Sequence, residues 1–152
     1  MFKHILVPVD GSPVACHAVH KARAIACAFR SSVTLIYVID PYAFSGAGTV
    51  PSQGKLDYLD AATLQANEAI SEARQVFEAQ GMFVNGSVVE GHSVYQAILE
   101  AVETLDADLV VMGSHGRRSL EKLMIGSVTA QVLSHAHVPV LVVRHQEARV
   151  FS

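Results

Sequence analysis

Tryptophan is absent from this chain and cysteine nearly so, with two among 152 residues. Cys16 and Cys27 fall in one predicted helix, eleven positions apart, which separates them by roughly 16 Å along its axis. That is too far for a disulfide, so both read as small helix residues in a reducing compartment. Charge is scarce as well. Charged side chains make up 16% of the chain, 11 Lys+Arg against 14 Asp+Glu, for a net charge of -3. Such a chain has no basic field to hold a phosphate backbone, and nucleic acid is excluded as the expected partner. Long apolar runs are also missing. No stretch nears the roughly 18 residues that a membrane span requires. The start Met1-Phe2-Lys3 lacks the charged region, apolar stretch and cleavage site of a signal peptide. The expectation is a cytoplasmic protein without a membrane partner.

What remains is apolar and regularly spaced. Hydrophobic residues make up 51% of the chain, enough for one domain with a real core. Ile5–Val9 predicts a short buried strand ending at Asp10-Gly11. Ser12-Pro13 then offers an N-cap and a proline at the first helical position. The helix behind them should run to Phe29, with Ala15, Val19, Ala22, Ala26 and Phe29 facing the core. Val33–Ile39 is a continuous β-branched run, as in a strand covered on both faces. Residues 41–55 are rich in Gly, Pro and Ser and predict a mobile loop. A long helix follows from Leu56 to Gln80, its stripe formed by Ala66, Ala69, Ile70, Ala73, Val76 and Phe77, and Gly81 stops it.

Phe83–Val89, interrupted by Asn85-Gly86-Ser87, suits a sheet edge. Ser93-Val94-Tyr95-Gln96 reads as a capping box, opening a helix that buries Val94, Ala97, Ile98, Ala101, Val102 and Leu105. Leu109–Met112 predicts a buried strand that stops at Gly113. Gly126-Ser127 opens a last helix, and Val138–Val143 predicts the final strand. Strict alternation of five strands and four helices implies an α/β fold: a five-stranded parallel sheet with helices on both faces, Rossmann-like. Residues 1–146 read as a single domain and 147–152 as a short polar tail.

In such sheets ligands gather at the carboxyl ends of the strands, where strand order reverses. The segment GSHGRRSLEKLMIGS, from Gly113 to Ser127, stands out there. Its glycines leave main-chain N–H groups unshielded, and a helix start favours anions. Arg117, Arg118 and Lys122 add positive charge. Singly, each glycine is an ordinary turn or helix start; together, after a buried strand, they point to phosphate. His115 stays open between a general base, a metal ligand and a loop residue lending its backbone N–H. His17 and His20, three apart on a helix, suit zinc only if other ligands converge, and no CxxC or HExxH supplies them. A Walker loop, a GxGxxG fingerprint and a GxSxG elbow are all absent.

The spacing G-x2-G-x9-G-[ST], met at Gly113, Gly116, Gly126 and Ser127, resembles the nucleotide motif of the ATP-binding branch of the universal stress protein family. His4–Pro13 (HILVPVDGSP) and His137–Arg144 (HVPVLVVR) resemble that family's first strand and turn and its last strand. The resemblance implies an adenine nucleotide alpha hydrolase-like fold and an ATP-binding, nucleotide-dependent regulator of stress response. Its alternative is a slow ATPase or nucleotidyl-transfer enzyme using a divalent metal. By the same resemblance, Gly113, Gly116, Gly126 and Ser127 would hold the phosphates of ATP (or AMP or ADP), with backbone help from His115 and Val128. Asp10 would lie by the ribose and phosphates and help hold Mg2+ or Mn2+. Pro8, Val9 and Met112 would flank the nucleoside, Val38 would touch adenine, and a homodimer would form through Val138–Val143.

Overall fold

Successive buried residues along the inner strands face opposite sides of the sheet and sort the chain into two apolar layers around it. The computed structural model describes residues 1–41, 52–116 and 124–144. Nine elements follow in order: β1 (His4–Pro8), α1 (Pro13–Phe29), β2 (Ser32–Ile39), α2 (Ser52–Glu78), β3 (Asn85–Glu90), α3 (Val94–Thr104), β4 (Leu109–Gly113), α4 (Ser127–His135) and β5 (Val140–Val143). All strand pairs are parallel, in the order β3-β2-β1-β4-β5. One core layer joins Ile5, Val7, Leu35 and Val111 to Ala18, Ala22, Ile70 and Phe77 of α1 and α2. The other joins Leu6, Ile36, Val110 and Met112 to Ile98, Val102 and Val132 of α3 and α4. The expected α/β architecture, with helices on both faces, is the one observed.

Local chemistry sets the element ends. The Ser12 hydroxyl accepts from the Ala15 N–H at 3.2 Å and Pro13 opens α1, as the sequence implied. Gly81, at φ +72°, stops the chain after α2, where Met82 N–H donates to Phe77 O at 3.1 Å. Only glycine adopts that backbone without strain. The exposed Asn85-Gly86-Ser87 segment lies in β3, at the sheet edge.

Four expectations are corrected. Phe29 is 43% exposed rather than core-facing; in the last turn of α1 it stacks edge-on against Phe2, ring centres 5.5 Å apart. α2 begins at Ser52 instead of Leu56, taking Gly54 into its first turn. The expected loop is shorter by those residues, and 42–51 lie outside the described residues. The Ser93 box does not form: the Ser93 hydroxyl caps no amide, and Gln96 Nε2 reaches the Tyr95 hydroxyl at 3.4 Å. β5 starts at Val140 because Pro139 has no N–H to give; only its carbonyl joins the ladder, accepting from Val110 N–H at 3.0 Å.

At the amino end of the sheet, Asp108 ties down the first strand. Its carboxylate accepts from Lys3 N–H at 2.8 Å and His4 N–H at 3.0 Å. Desolvation pushes this carboxyl up, but the backbone donors of Lys3 and His4 outweigh it and hold it below the usual carboxylate range. Among the described residues, no helix is long and apolar enough to cross a membrane.

Candidate functional site

β1 is flanked by β2 on one side and β4 on the other, so the sheet reverses its order at the β1–β4 boundary. The crevice beyond those two strand ends is the expected ligand position in an open parallel sheet. From β1 comes Val9-Asp10-Gly11-Ser12. Gly11, at φ +81°, makes the turn, and Asp10 Oδ1 accepts from Ser12 N–H at 2.9 Å. From β4 comes Gly113-Ser114-His115-Gly116. The two loops meet: a Cβ placed on Gly116 would lie 3.0 Å from Asp10 Oδ2.

Ser114 knits this loop to α4 and β5. Its N–H donates to Val143 O at 2.8 Å, and its carbonyl accepts from Gly126 N–H at 2.7 Å. Thr129 Oγ1 donates to Gly113 O at 2.9 Å from a buried position. A Cβ on Gly126 would stand 3.0 Å from His115 Cα, so that glycine permits the approach of α4 to the loop. The Gly126 amide is therefore engaged, and the opening amides of α4 begin one residue further on. The first intrahelical bond at this end runs from Ala130 N–H to Gly126 O at 2.9 Å, and no side chain caps α4. The amides of Ser127 and Val128 precede that bond, as the opening N–H groups of a helix do, where the dipole favours an anion.

The sequence-predicted residues divide into three groups. Asp10 meets Gly116 and His115 meets Gly126 at the crevice; Ser127 and Val128 follow at the start of α4, the Val128 side chain packed on the layer under α3 and α4. Gly113 comes there by its main chain alone, for a Cβ on it would meet Val14 Cγ1 at 2.9 Å; its missing side chain lets α1 pack close. The apolar set splits across the sheet. Met112 and Val38 belong to the layer under α3 and α4, and the two-residue period of β1 puts Pro8 on that same face as Leu6. Val9 turns the other way into the opposite layer, and its N–H is bound to Ile36 O at 2.9 Å. Its main-chain carbonyl is what it can offer. Arg117, Arg118 and Lys122 lie outside the described residues.

His115 is half-buried, its Nδ1 3.2 Å from Ser114 Oγ. That contact orients the ring while its backbone stays at the loop. Among the described residues, no group of three or more His, Cys, Asp or Glu converges on a metal position. Cys16 and Cys27 are free thiols on the exposed side of α1. Ser114 and Thr129 are the site's buried polar residues that the sequence reading passed over. Ser114, at 1% exposure, stands between two motif glycines, and that position was the available signal.

The model of the universal stress protein family matches residues 1–144. A universal stress protein of Methanocaldococcus jannaschii, MJ0531, is 34% identical over 145 residues, covering 95% of this chain and 83% of that protein. The solved structure of MJ0577 superposes with a TM-score of 0.83 at 28% identity, covering 97% of this chain and 99% of the other. That of UspA from Lactobacillus plantarum gives 0.81 at 29% identity, covering 93% and 97%. The same fold recurs in a universal stress protein solved in complex with cAMP, at 24% identity and TM-score 0.69, and in one from Archaeoglobus fulgidus in complex with dAMP, at 20% and 0.70.

Proposed function

This chain belongs to the universal stress protein family, and from that premise we propose that it is an ATP-binding, nucleotide-dependent regulator of stress response in the cytoplasm. The observation that carries the proposal is the meeting of Asp10 with Gly116 at the switch of strand order, beside the uncapped start of α4. A polyphosphate would lie along the amides of His115, Gly116, Ser127 and Val128, with Gly113 and Gly126 shaping the loop. Pro8, Met112 and the Val9 carbonyl would flank the nucleoside, and Val38 would border adenine. Two solved proteins of the same fold hold adenine nucleotides, cAMP in one and dAMP in the other.

The residues present also fit a divalent ion. Asp10 Oδ2 faces the glycine that a phosphate would approach, and two anions in one crevice repel each other. Mg2+ or Mn2+ held by Asp10 and the phosphate oxygens removes that conflict, since hard cations take oxygen ligands. When bound, the ion supplies charge neutralisation. The protein's part is to aim Asp10 by the Ser12 N–H and to present the amides.

Mass spectrometry of a denatured extract of the purified protein should show co-purified adenine nucleotide. An empty extract, together with no ATP binding by titration calorimetry, would end the proposal. The homodimer belongs to the same reading. β5 is a sheet edge, and Leu141 on it is 39% exposed while Leu133 of the adjacent α4 is 45% exposed. Such an edge invites pairing with its twin. Light scattering that reports a monomer at micromolar concentration would count against it.

A further inference from the structure

We propose that Arg144 is a further phosphate-contacting residue of this site, one that grades affinity by the number of phosphates; it rests on the nucleotide reading above. Both main-chain groups of Ser114 are bound, the N–H to Val143 O at 2.8 Å and the carbonyl to Gly126 N–H at 2.7 Å. Val143 and Gly126 are thereby held one residue from each other across Ser114. Arg144 follows Val143 directly, at the carboxyl end of β5 and level with the start of α4. The register agrees, since Gly113 is opposite Val143 and the next step sets Arg144 beside Ser114.

Side-chain direction follows from the strand period. Val143 is buried in the layer under α1 and α2, whereas Val140 packs into the layer under α3 and α4. Arg144 is exposed and follows β5 directly; continued by one residue, the strand period gives it the parity of Val140, on the α4 side. That is the side on which α4, opened by Ser127 and Val128, packs. The crevice already holds the Asp10 carboxylate, and a polyphosphate adds more negative charge. Among the described residues, Arg144 is the Lys or Arg whose backbone adjoins this loop. A guanidinium offers a fork of donors suited to phosphate oxygens, and its reach from the strand end would favour the outer phosphates over the nucleoside.

The test is titration calorimetry of wild type, Arg144→Gln and Arg144→Lys with ATP, ADP, AMP and adenosine in the presence of Mg2+. Arg144→Gln should weaken ATP binding by roughly tenfold, the worth of one charge-assisted hydrogen bond at a solvent-facing site. The loss should shrink through ADP to AMP and vanish for adenosine. Arg144→Lys should recover most of it, and the salt dependence of ATP binding should flatten in Arg144→Gln. Equal losses for adenosine and ATP would mean that the side chain only packs the strand end, and would overturn the proposal. So would unchanged ATP affinity in Arg144→Gln. Wild-type protein that binds none of the four compounds would instead overturn the nucleotide reading itself, and this inference with it.

Discussion

At the amino end of the sheet the Asp108 carboxylate accepts backbone N–H groups from Lys3 and His4, linking residues more than a hundred positions apart. At the carboxyl end Asp10 accepts the N–H of Ser12, two residues away, through Oδ1, and turns Oδ2 toward Gly116. The residue type is the same and the roles differ. Asp108 is consumed by the fold, its charge satisfied by main-chain donors. Asp10 is oriented by its own turn and presents Oδ2 to the Gly116 loop. An acid placed against an anion-accepting loop makes physical sense where a cation joins the two. This contrast separates the end of the sheet that holds the chain together from the end that is arranged for something else.

The sharpest way to break that contrast is Gly126→Val. Its side chain would meet the His115 backbone at 3.0 Å and push the loop off the start of α4. Losing two or more charge-assisted hydrogen bonds should weaken ATP binding by at least roughly hundredfold, measured by calorimetry on protein whose circular dichroism is unchanged. Gly113→Val acts on stability instead. Its Cβ would sit 2.9 Å from Val14 Cγ1 in the packed seam between α1 and β4. Overpacking of that kind should cost about 1–3 kcal/mol in chemical denaturation. A Gly113→Val protein as stable as wild type would show that α1 does not need the close approach.

Asp10→Asn sharpens the comparison by its sign. With Mg2+ present, the variant should bind ATP roughly tenfold more weakly, having lost a charged ligand oxygen. With the metal chelated, the order should invert, because the asparagine no longer repels the phosphates. Equal affinity of the two proteins under both conditions would show that Asp10 faces no phosphate.

Much of this was legible before any coordinates. Strand and helix alternation carried the topology, because buried β-branched runs and amphipathic stripes have distinct periods. Ser12-Pro13 and Gly81 marked helix ends through local backbone chemistry, and the polar Asn85-Gly86-Ser87 marked the sheet edge. Less was legible where the outcome depends on distant partners. Nothing near Ser93 tells that its hydroxyl will leave the cap unmade. The motif glycines singled out the loop after β4, yet a sequence cannot show that Gly113 makes room for Val14, or that the Gly126 amide is taken by Ser114. The family resemblance grouped Val9 with Pro8, although neighbouring strand residues face opposite layers. Asp108 stands just before β4 in the sequence, while its partners lie at the other end of the chain.

Asp108 also gives the smallest of the expected effects, and one with a defined pH window. Its folded-state carboxyl lies below the usual value of 3.8, so the unfolded chain takes up the proton first as pH falls. Its contribution is therefore fully present above about pH 4 and is lost as pH drops through the lower folded value. Asp108→Asn removes that contribution at every pH and keeps the shape of the side chain. The variant should have a lower denaturation midpoint than wild type at pH 7, and the gap should narrow steadily below pH 4. A gap that stays constant down to pH 2 would mean that the charge of Asp108 contributes nothing to holding β1, and that Lys3 and His4 are fastened by the neighbouring ladder with β2 alone.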